Sequence, residues 1–287
     1  AGQARNIKVM AIIGIAGTTE TGSVDPLDAM ADVAADIGAH FHIDAAWGGP
    51  TLFSNRHRPL LKGIERADSV TIDAHKQLYV PMGAGMVLFR DPAALAAIEH
   101  HAEYIIRRGS KDLGSRTLEG SRPGMAMLVH AGFHIIGRKG YEILIDQNIE
   151  RAQGFATQIQ AHPDFELVAA PTLNILAYRW TPAEVRRALE QAPESLRSAI
   201  NAQLDEITLL VQKTQRAAGK SFVSRTRLKP AQDTITVFRV VLANPLTTQD
   251  ILAEVLAEQL TLVHGSTLAT AQKKLAVLLK KVEAEHE

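Results

Sequence analysis

The sequence contains no cysteine among its 287 residues. This absence excludes disulfide bonds, thiolate nucleophiles and cysteine-ligated metals within the chain. An excess of charge is also missing, because 31 Lys and Arg residues balance 31 Asp and Glu residues. We therefore expect no overall electrostatic attraction to nucleic acid or to a membrane surface. No apolar run approaches the ~20 residues that cross a bilayer, and a cytoplasmic protein is the default expectation.

The chain up to Phe89 alternates short apolar runs with a helical pattern, which is typical of a mostly parallel α/β layer. The continuous apolar run at residues 7–16 predicts a strand covered on both faces. Asp25 and Pro26 predict the start of a helix, and Gly38 predicts its end. The runs HFHID, SVTID and GMVLF predict strands at residues 40–44, 69–73 and 85–89, and a helix is predicted at residues 92–102.

Residues 104–124 form a basic, glycine-rich stretch without clear periodicity. A long irregular connection inside a compact domain is more often functional than inert. Beyond it the patterns predict helices at 125–137, 141–162 and 247–265, strands at 165–170, 174–180, 221–228 and 235–243, and a mainly helical stretch at 181–219. We place a domain boundary in the second of these helices, which gives domains 1–145 and 146–287.

Polar side chains follow three of the predicted strands in the first domain. Thr18 and Thr19 follow the first strand, Asp44 ends the second, and Lys76 follows the third. Ligands of open α/β sheets bind just outside the carboxyl ends of the strands, so we expect these residues to converge on one crevice. A deprotonated lysine amine forms a Schiff base with an aldehyde. Pyridoxal phosphate is such an aldehyde, and its usual partners are a lysine and an acid at the pyridinium nitrogen, here Asp44.

Each of these residues also has a purely structural interpretation. Lys76 would then be a solvated surface lysine, and Asp44 would be a helix cap or turn residue. His75 and His42 would be core histidines bonded to backbone groups, and the two threonines would be turn residues. The spacing of the residues by itself leaves both interpretations open.

Three segments resemble motifs of the group II pyridoxal-phosphate-dependent amino-acid decarboxylases. They are GTTETGSVDPL, FHIDAAWGG and ADSVTIDAHKQLYVPMGAG, and their order and spacing also match. The similarity continues through RKGYEILIDQNIERAQ, GKSFVSRTRL and FRVVLANPLTT, so it covers nearly the whole chain. It implies an α/β fold of type I, like that of aspartate aminotransferase. Residues 1–145 would be the C-terminal part of the large cofactor-binding domain, and residues 146–287 a small α+β domain.

The resemblance implies roles for individual residues and a homodimeric assembly. Lys76 would be the catalytic lysine that forms the Schiff base with pyridoxal phosphate. Asp44 would pair with the pyridine nitrogen, and Ala46 would pack against the face of the ring. His75 would lie close to the phosphate group.

The same resemblance places further residues near the cofactor and the substrate. Thr18 or Thr19 would lie near the 3-hydroxyl group of the cofactor. TVFRVVLANP resembles a segment of glutamate decarboxylases in which an arginine holds the substrate α-carboxylate, and this implies that role for Arg239. A planar guanidinium binds a carboxylate through two hydrogen bonds and so fixes its orientation. The alternative for Arg239 is a strand residue that pairs with a surface acid.

The resemblance implies α-decarboxylation of an acidic L-amino acid. LANP favours this branch, and GSKDLGSRTLEGSRPGMAMLVHAG resembles bacterial proteins similar to glutamate or aspartate 1-decarboxylase. Glutamate would give γ-aminobutyrate, and aspartate would give β-alanine. The alternatives are decarboxylation of L-2,4-diaminobutyrate or an aromatic amino acid, a carbon–sulfur lyase, or a cofactor-free fragment without activity.

The basic stretch at 104–124 suits a dicarboxylic substrate, although its cations are equally those of a solvated loop. No tyrosine there, Tyr104 included, is assigned as the proton donor to the substrate Cα. The cations are Arg107, Arg108, Lys111, Arg116 and Arg122.

Members of the family carry a substantial portion before the motif that GTTETG resembles. That portion holds the phosphate-binding loop, a histidine that stacks on the cofactor ring and part of the dimer interface. Since this chain begins one strand before the motif, the sequence predicts the C-terminal half of a longer protein. We expect this half alone to bind the cofactor weakly or not at all.

Overall fold

The computed structural model describes residues 8–101, 104, 106, 109, 113–117 and 121–285. Contacts between residues divide the chain into two compact units. The first unit contains residues 1–18 and 23–146, and the second contains residues 19–22 and 147–287. The assignment of the two halves to a cofactor-binding domain and a small domain stays a prediction. Within the described ranges, no helix combines the length and the apolar character needed to cross a membrane.

The first unit is built on a four-stranded sheet in the order β1-β2-β3-β4. Strands β1, β2 and β3 run parallel, and β4 runs antiparallel to β3. Their bounds are Ala11–Ile15, His40–Asp44, Ser69–Asp73 and Gly85–Phe89. All four strands lie within the apolar runs that predicted them.

Helix α1 (Leu27–Ile37) covers one face of this sheet. Leu27 packs there with Phe41 and Ile43, and all three side chains are almost fully buried. On the opposite face Ile13 of β1 is 59% exposed. The prediction that this strand is covered on both faces is therefore wrong for the part of the chain that the structure describes.

The sequence signals for the starts and ends of the first two predicted helices are confirmed only in part. Gly38 ends α1 with a left-handed φ of 62°, as predicted. The Asp25 carboxylate does not cap α1, because it accepts a hydrogen bond from the backbone N–H of Ile15 at 2.8 Å. The predicted helix at 92–102 is a 3₁₀ helix, Pro92–Ile98, whose N-cap is Asp91.

Helix α2 (Met125–Ala161) contains the two helices predicted between residues 125 and 162. Gly137 interrupts it with φ 68° and ψ 169°, which are not helical values. The remaining short elements of the first unit are the 3₁₀ helices Gly49–Phe53, Arg58–Leu61, Ile64–Arg66 and Leu113–Arg116.

The second unit packs helices on an antiparallel sheet in the order β5-β6-β8-β7. Phe155, Tyr178 and Phe238 lie at the centre of its core. The strands are β5 (Phe165–Ala169), β6 (Ile175–Trp180), β7 (Ser224–Leu228) and β8 (Ile235–Val241). The helices are α3 (Ala183–Gln191), α4 (Glu194–Ala218), α5 (Gln249–Val263) and α6 (Ala269–Ala284), with a 3₁₀ turn at Ser266–Leu268.

Two features at the end of this unit bear on the sequence predictions. The Thr248 side chain caps α5 by accepting from the backbone N–H of Ile251 at 3.3 Å, at the start of the helix predicted at 247–265. Helix α5 is not the last helix, because α6 follows it, and the sequence predictions did not include α6.

Candidate cofactor site

The three parallel strands of the first unit end at the same edge of the sheet. The backbone N–H of Ala16, just after β1, donates to the carbonyl oxygen of Asp44 at 2.8 Å. The backbone N–H of Asp73, at the end of β3, donates to the carbonyl oxygen of Ala46 at 3.2 Å. These bonds join the segments after β1 and β2 to each other and to the end of β3. Asp44, Ala46 and the turn that carries Lys76 therefore share one edge.

Lys76 lies in the turn that follows β3, and its amine is held by a carboxylate. Its Nζ is 2.8 Å from Oδ2 of Asp73, and its side chain is 34% exposed. Tyr79, three residues after Lys76, has a φ of 57°, and no other non-glycine residue in the described ranges has a positive φ. A non-glycine residue in that region costs about 1–3 kcal/mol and is typical of functional sites. The turn thus keeps a strained conformation three residues after an accessible amine.

Two hydrogen bonds hold the lysine turn from its buried side. The amide of Gln77, a residue that is only 2% exposed, donates from Nε2 to the carbonyl oxygen of Trp47 at 2.8 Å. The hydroxyl of Tyr141 on α2 donates to the carbonyl oxygen of Leu78 at 3.0 Å. The turn is therefore tied to the loop after β2 and to a helix, which limits the positions that Lys76 reaches.

His75 is held by backbone and lies beside the same carboxylate as Lys76. Its Nδ1 is 2.9 Å from the carbonyl oxygen of Ala84, so this nitrogen donates. Its Nε2 is 3.9 Å from Oδ2 of Asp73. The position of His75 near a phosphate group stays a prediction.

Asp44 ends β2 on the sheet face opposite α1 and is exposed. Its Oδ1 accepts from the backbone N–H of Ala46 at 3.0 Å. On the same face His42 contacts two hydroxyls, Ser69 Oγ from Nδ1 at 2.8 Å and Thr71 Oγ1 from Nε2 at 3.4 Å. His42 is thus bonded to side chains rather than to backbone groups, and it continues a polar row that ends at Asp44.

Thr18 lies in the turn after β1, within the first unit. Its Oγ1 accepts from the backbone N–H of Ser23 at 3.1 Å, and its own N–H donates to the carbonyl oxygen of Ser23 at 2.9 Å. These bonds give Thr18 a turn-forming role alongside its predicted place near the cofactor.

Thr19 and Arg239 belong to the second unit, where they contact each other. Nε of Arg239, on β8, donates to the carbonyl oxygen of Thr19 at 2.6 Å. Partial burial lowers the pKa of the Arg239 guanidinium, and the negative charge of Glu20 opposes this change. The arginine thus has a backbone oxygen as a direct partner.

The groups at the sheet edge fit the chemistry of pyridoxal phosphate. Lys76 presents an amine for an aldehyde, and the exposed Asp44 presents a carboxylate for a pyridinium nitrogen. Ala46 has the smallest side chain that still gives a ring an apolar contact. The Asp44 carboxylate has one oxygen bonded to its own loop and lies on an open face, where a ligand nitrogen can reach it.

A cavity in the first unit lies on the other face of the sheet and offers no such chemistry. Its volume is about 360 Å³, and its lining is apolar except for Arg138. Ile72 of β3 lines it, and side chains alternate along a strand, so it opens on the face opposite Thr71 and Asp73. Lys76 and Asp44 are absent from its lining.

The basic stretch before α2 lies partly outside the described residues. Arg107, Arg108 and Lys111 fall there, so their predicted contribution is not described. Tyr104 is 82% exposed, and Arg116 and Arg122 are also exposed.

Sequence reasoning missed two residues that act on the lysine turn, Asp73 and Gln77. Asp73 stands three positions before Lys76, a spacing that brings two side chains together in a single turn. That spacing was a usable signal. No sequence signal indicated Gln77, because its partner is a backbone carbonyl 30 positions away.

Residues 3–181 match the family model described as the pyridoxal-dependent decarboxylase conserved domain. This match spans more than half of the 287 residues. The chain belongs to the pyridoxal-dependent decarboxylase family. Membership confirms the family that the motifs predicted and its cofactor, pyridoxal phosphate.

Individual decarboxylases are similar over most of the chain. Aspartate 1-decarboxylase of Aliivibrio fischeri (strain ATCC 700601 / ES114) is 59% identical over 271 residues, which are 93% of this chain and 49% of that protein. L-2,4-diaminobutyrate decarboxylase of Rhizobium meliloti (strain 1021) is 31% identical over 252 residues, 86% of this chain and 47% of that protein. The chain therefore spans about half the length of these relatives.

A solved structure confirms the fold class of this chain. The crystal structure of mouse CSAD in apo form superposes with a TM-score of 0.80 at 28% identity. The superposition covers 91% of this chain and 53% of that one. The chain thus has the predicted α/β fold of type I.

Proposed function

We propose that the intact protein removes the α-carboxylate of an acidic L-amino acid, with aspartate as the preferred substrate and β-alanine as the product. The observation that carries the proposal is the Lys76 amine on the same sheet edge as the Asp44 carboxylate. The aspartate 1-decarboxylase at 59% identity supports aspartate over glutamate. A homodimer in the cytoplasm is part of the proposal, and the homodimer rests on the family resemblance.

The cofactor and the residues of this chain divide the work. When bound, pyridoxal phosphate supplies an aldehyde that condenses with amines and a pyridinium ring that accepts the electrons left when carbon dioxide departs. Asp44 would place a negative charge at the ring nitrogen and so favour its protonated form. Lys76 supplies the amine that holds the aldehyde, and Asp73 is a partner for that amine whenever the amine is free. Ala46 would support the ring face, His75 would lie close to the phosphate group, and Thr18 or Thr19 would lie near the 3-hydroxyl group.

Arg239 would bind the substrate α-carboxylate. A guanidinium holds a carboxylate through two parallel hydrogen bonds, and this fixes the rotation about the Cα–carboxylate bond. Arg239 would therefore favour loss of carbon dioxide by orienting the substrate.

The assignment of Lys76 is tested by reducing the intact protein with borohydride in the presence of pyridoxal phosphate and mapping the labelled peptide. We expect the label on Lys76, no label in Lys76→Ala, and a loss of decarboxylation in that variant of ~10³-fold or more. Lys62→Ala is the matched control, because Lys62 is an exposed lysine paired with Asp28 on α1. A label on any other lysine would contradict the assignment.

The substrate is tested separately by identifying the amine formed from a panel of amino acids. The proposal expects β-alanine from aspartate at the highest kcat/KM, with γ-aminobutyrate from glutamate at a lower value. The relative at 31% identity that is named L-2,4-diaminobutyrate decarboxylase is the reason to include diaminobutyrate. If 1,3-diaminopropane from that substrate dominates, the acidic substrate is wrong while the role of Lys76 stands.

A further inference from the structure

Arg239 uses its Nε–H within the second unit. The acceptor is the carbonyl oxygen of Thr19 at 2.6 Å, and the two residues are 220 positions apart in the chain. A hydrogen bond from a charged donor is shorter and stronger than one between neutral groups. Arg239 is thus bonded to a short segment, Thr19–Gly22, that the chain forms between β1 and α1.

The Thr19–Gly22 segment is held at its other end as well. Gly22 has a φ of +69°, and a Cβ added to it would lie 2.9 Å from Cβ of Ile175. Ile175 lies on β6, the neighbour of the strand that carries Arg239. The segment therefore rests on two adjacent strands, through a hydrogen bond at Thr19 and a close packing contact at Gly22.

The hydrogen bond at Nε decides which N–H groups of Arg239 a ligand can use. A guanidinium has five N–H donors, one on Nε and four on the two Nη atoms. With Nε bonded to Thr19, a carboxylate has both Nη atoms available for a two-point contact at the end of the fork. The Ser224 hydroxyl donates to the carbonyl oxygen of Arg239 at 2.6 Å, which fixes the backbone at this position.

We propose that Arg239 is a positioning residue for the Thr19–Gly22 segment, holding it through Nε while its two Nη atoms bind the substrate carboxylate. The carboxylate part rests on the proposed function, whereas the positioning part rests on the Nε contact. Since one rigid group makes both contacts, a bound carboxylate steadies the segment, and a seated segment strengthens carboxylate binding. The segment directly follows Thr18, so this coupling reaches a residue proposed to lie at the cofactor.

Hydrogen–deuterium exchange of the intact protein tests the positioning role without any turnover. The probe is succinate, a dicarboxylate that lacks the amine needed for reaction. We expect the amides of residues 19–22 to exchange several-fold faster in Arg239→Gln than in the wild type. We expect succinate to slow that exchange in the wild type and to have no effect in the variant. Arg227→Gln, which changes an exposed arginine on β7, is the matched control and leaves the exchange unchanged.

The outcomes separate this inference from the proposed function. Unchanged exchange in Arg239→Gln, together with lost succinate binding, overturns the positioning role and leaves the proposed carboxylate role intact. Faster exchange with undiminished succinate affinity supports the positioning role and removes Arg239 from the proposed carboxylate site.

A second variant keeps the test informative if Arg239→Gln folds poorly. Gly22→Ala disturbs the other end of the segment and leaves the arginine in place. A coupling of the usual size predicts succinate affinity about 5-fold weaker or more in this variant. Arg239→Lys keeps the charge but replaces the planar guanidinium fork by a compact ammonium, and we expect it to restore only part of the protection. Equal succinate affinity in Gly22→Ala and wild type, with succinate protection absent in the wild type, would falsify the coupling.

Discussion

Two carboxylates stand at the edge of the first sheet, and their contacts distinguish them. Asp73 has an oxygen 2.8 Å from the Lys76 amine, so it is the ion-pair partner of the lysine. Asp44 has one oxygen bonded to the backbone of its own loop, and it faces the open side of the sheet. Asp44 is therefore the acid that a ring nitrogen can approach. A difference of this kind is set by neighbours, since the residue type is the same.

Asp44→Asn keeps the size of the side chain and removes its charge. We expect the intact protein to bind pyridoxal phosphate about 10- to 100-fold more weakly, because a hydrogen bond to a charged group contributes about 1.5–3 kcal/mol. Decarboxylation should fall as well, since the ring nitrogen loses its partner. A titration of cofactor absorbance measures the affinity. Asp32→Asn on α1 is the control, and equal affinity in Asp44→Asn and wild type would remove Asp44 from the ring nitrogen.

At the scale of elements, α1 is joined closely to the 3₁₀ turn Ile64–Arg66. Gly63 precedes this turn with a φ of +100°, and a Cβ on it would lie 2.4 Å from the backbone nitrogen of Asp28. The Asp28 carboxylate is also 2.8 Å from Nζ of Lys62 and 2.7 Å from an Nη of Arg66. These cations lower the pKa of Asp28. The start of α1 therefore depends on a residue without a side chain.

Gly63→Ala and Gly38→Ala separate the two costs of replacing a glycine. Gly38 has a φ of +62° with open space around it, so alanine there costs only the unfavourable φ, about 1–2 kcal/mol. Alanine at Gly63 adds a clash with backbone, and we expect a loss of about 3 kcal/mol or more. Urea unfolding of both variants gives the free energies. Equal losses would mean that the packing of α1 relaxes without cost.

The fold could be predicted from the sequence wherever a local pattern and burial agree. The strand β4 runs antiparallel to β3. A parallel pair would require a long crossover connection, usually a helix, and the short connection from β3 to β4 contains no helix. Residues 92–98 contain alanines that favour a helix, but none of them is buried, and a short helix needs packing to form. Helix α6 was missed although Ala271, Leu275 and Val282 bury one helical face. That period was readable in the sequence.

The site was less predictable than the strands that carry it. The motifs indicated Lys76 and Asp44, since each stands at the end of an apolar run. The contact between Arg239 and Thr19 joins residues 220 positions apart, and no local pattern indicates such a pair. Only the folded chain shows which N–H group of the arginine is already used.

For the molecule as a whole, the core of the second unit contains a buried tyrosine with a strongly perturbed acidity. Tyr178 is fully buried, and its hydroxyl donates to Oε1 of Gln259 at 2.9 Å. Its ring lies between 5.3 and 5.7 Å from the rings of Phe155, Phe165 and Phe238. Burial raises the pKa of Tyr178 well above the ordinary 10.0, because an ionised phenol would lose its hydration.

This raised pKa predicts a loss of stability in alkali. Above the ordinary pKa of 10.0 the unfolded chain releases the proton of Tyr178, whereas the folded chain keeps it. Tyr178 makes its full contribution to the free energy of unfolding below that pH. Above it, this contribution falls as the pH rises, by at most about 1.4 kcal/mol per pH unit. In Tyr178→Phe the free energy of unfolding should fall less steeply with pH. Urea unfolding on both sides of the ordinary tyrosine pKa measures this slope.

The same variant has an internal reference. Burial also raises the pKa of Tyr141 in the first unit, so part of the alkaline slope should remain in Tyr178→Phe. At neutral pH the variant loses one buried hydrogen bond, at a cost of about 1 kcal/mol. An unchanged alkaline slope would mean that Tyr178 reaches solvent before the unit unfolds.

The bond from Gln77 to the carbonyl of Trp47 has a consequence for how the cofactor would be recognised. It links the loop that follows Asp44 to the turn that carries Lys76, so the two move together. The separation of acid and amine is then a fixed length, set when the chain folds. A ligand that spans this length need not immobilise two independent loops, and the entropy of ordering them does not weaken its binding. The fixed distance between the two loops favours molecules with an aldehyde and a ring nitrogen at the matching distance.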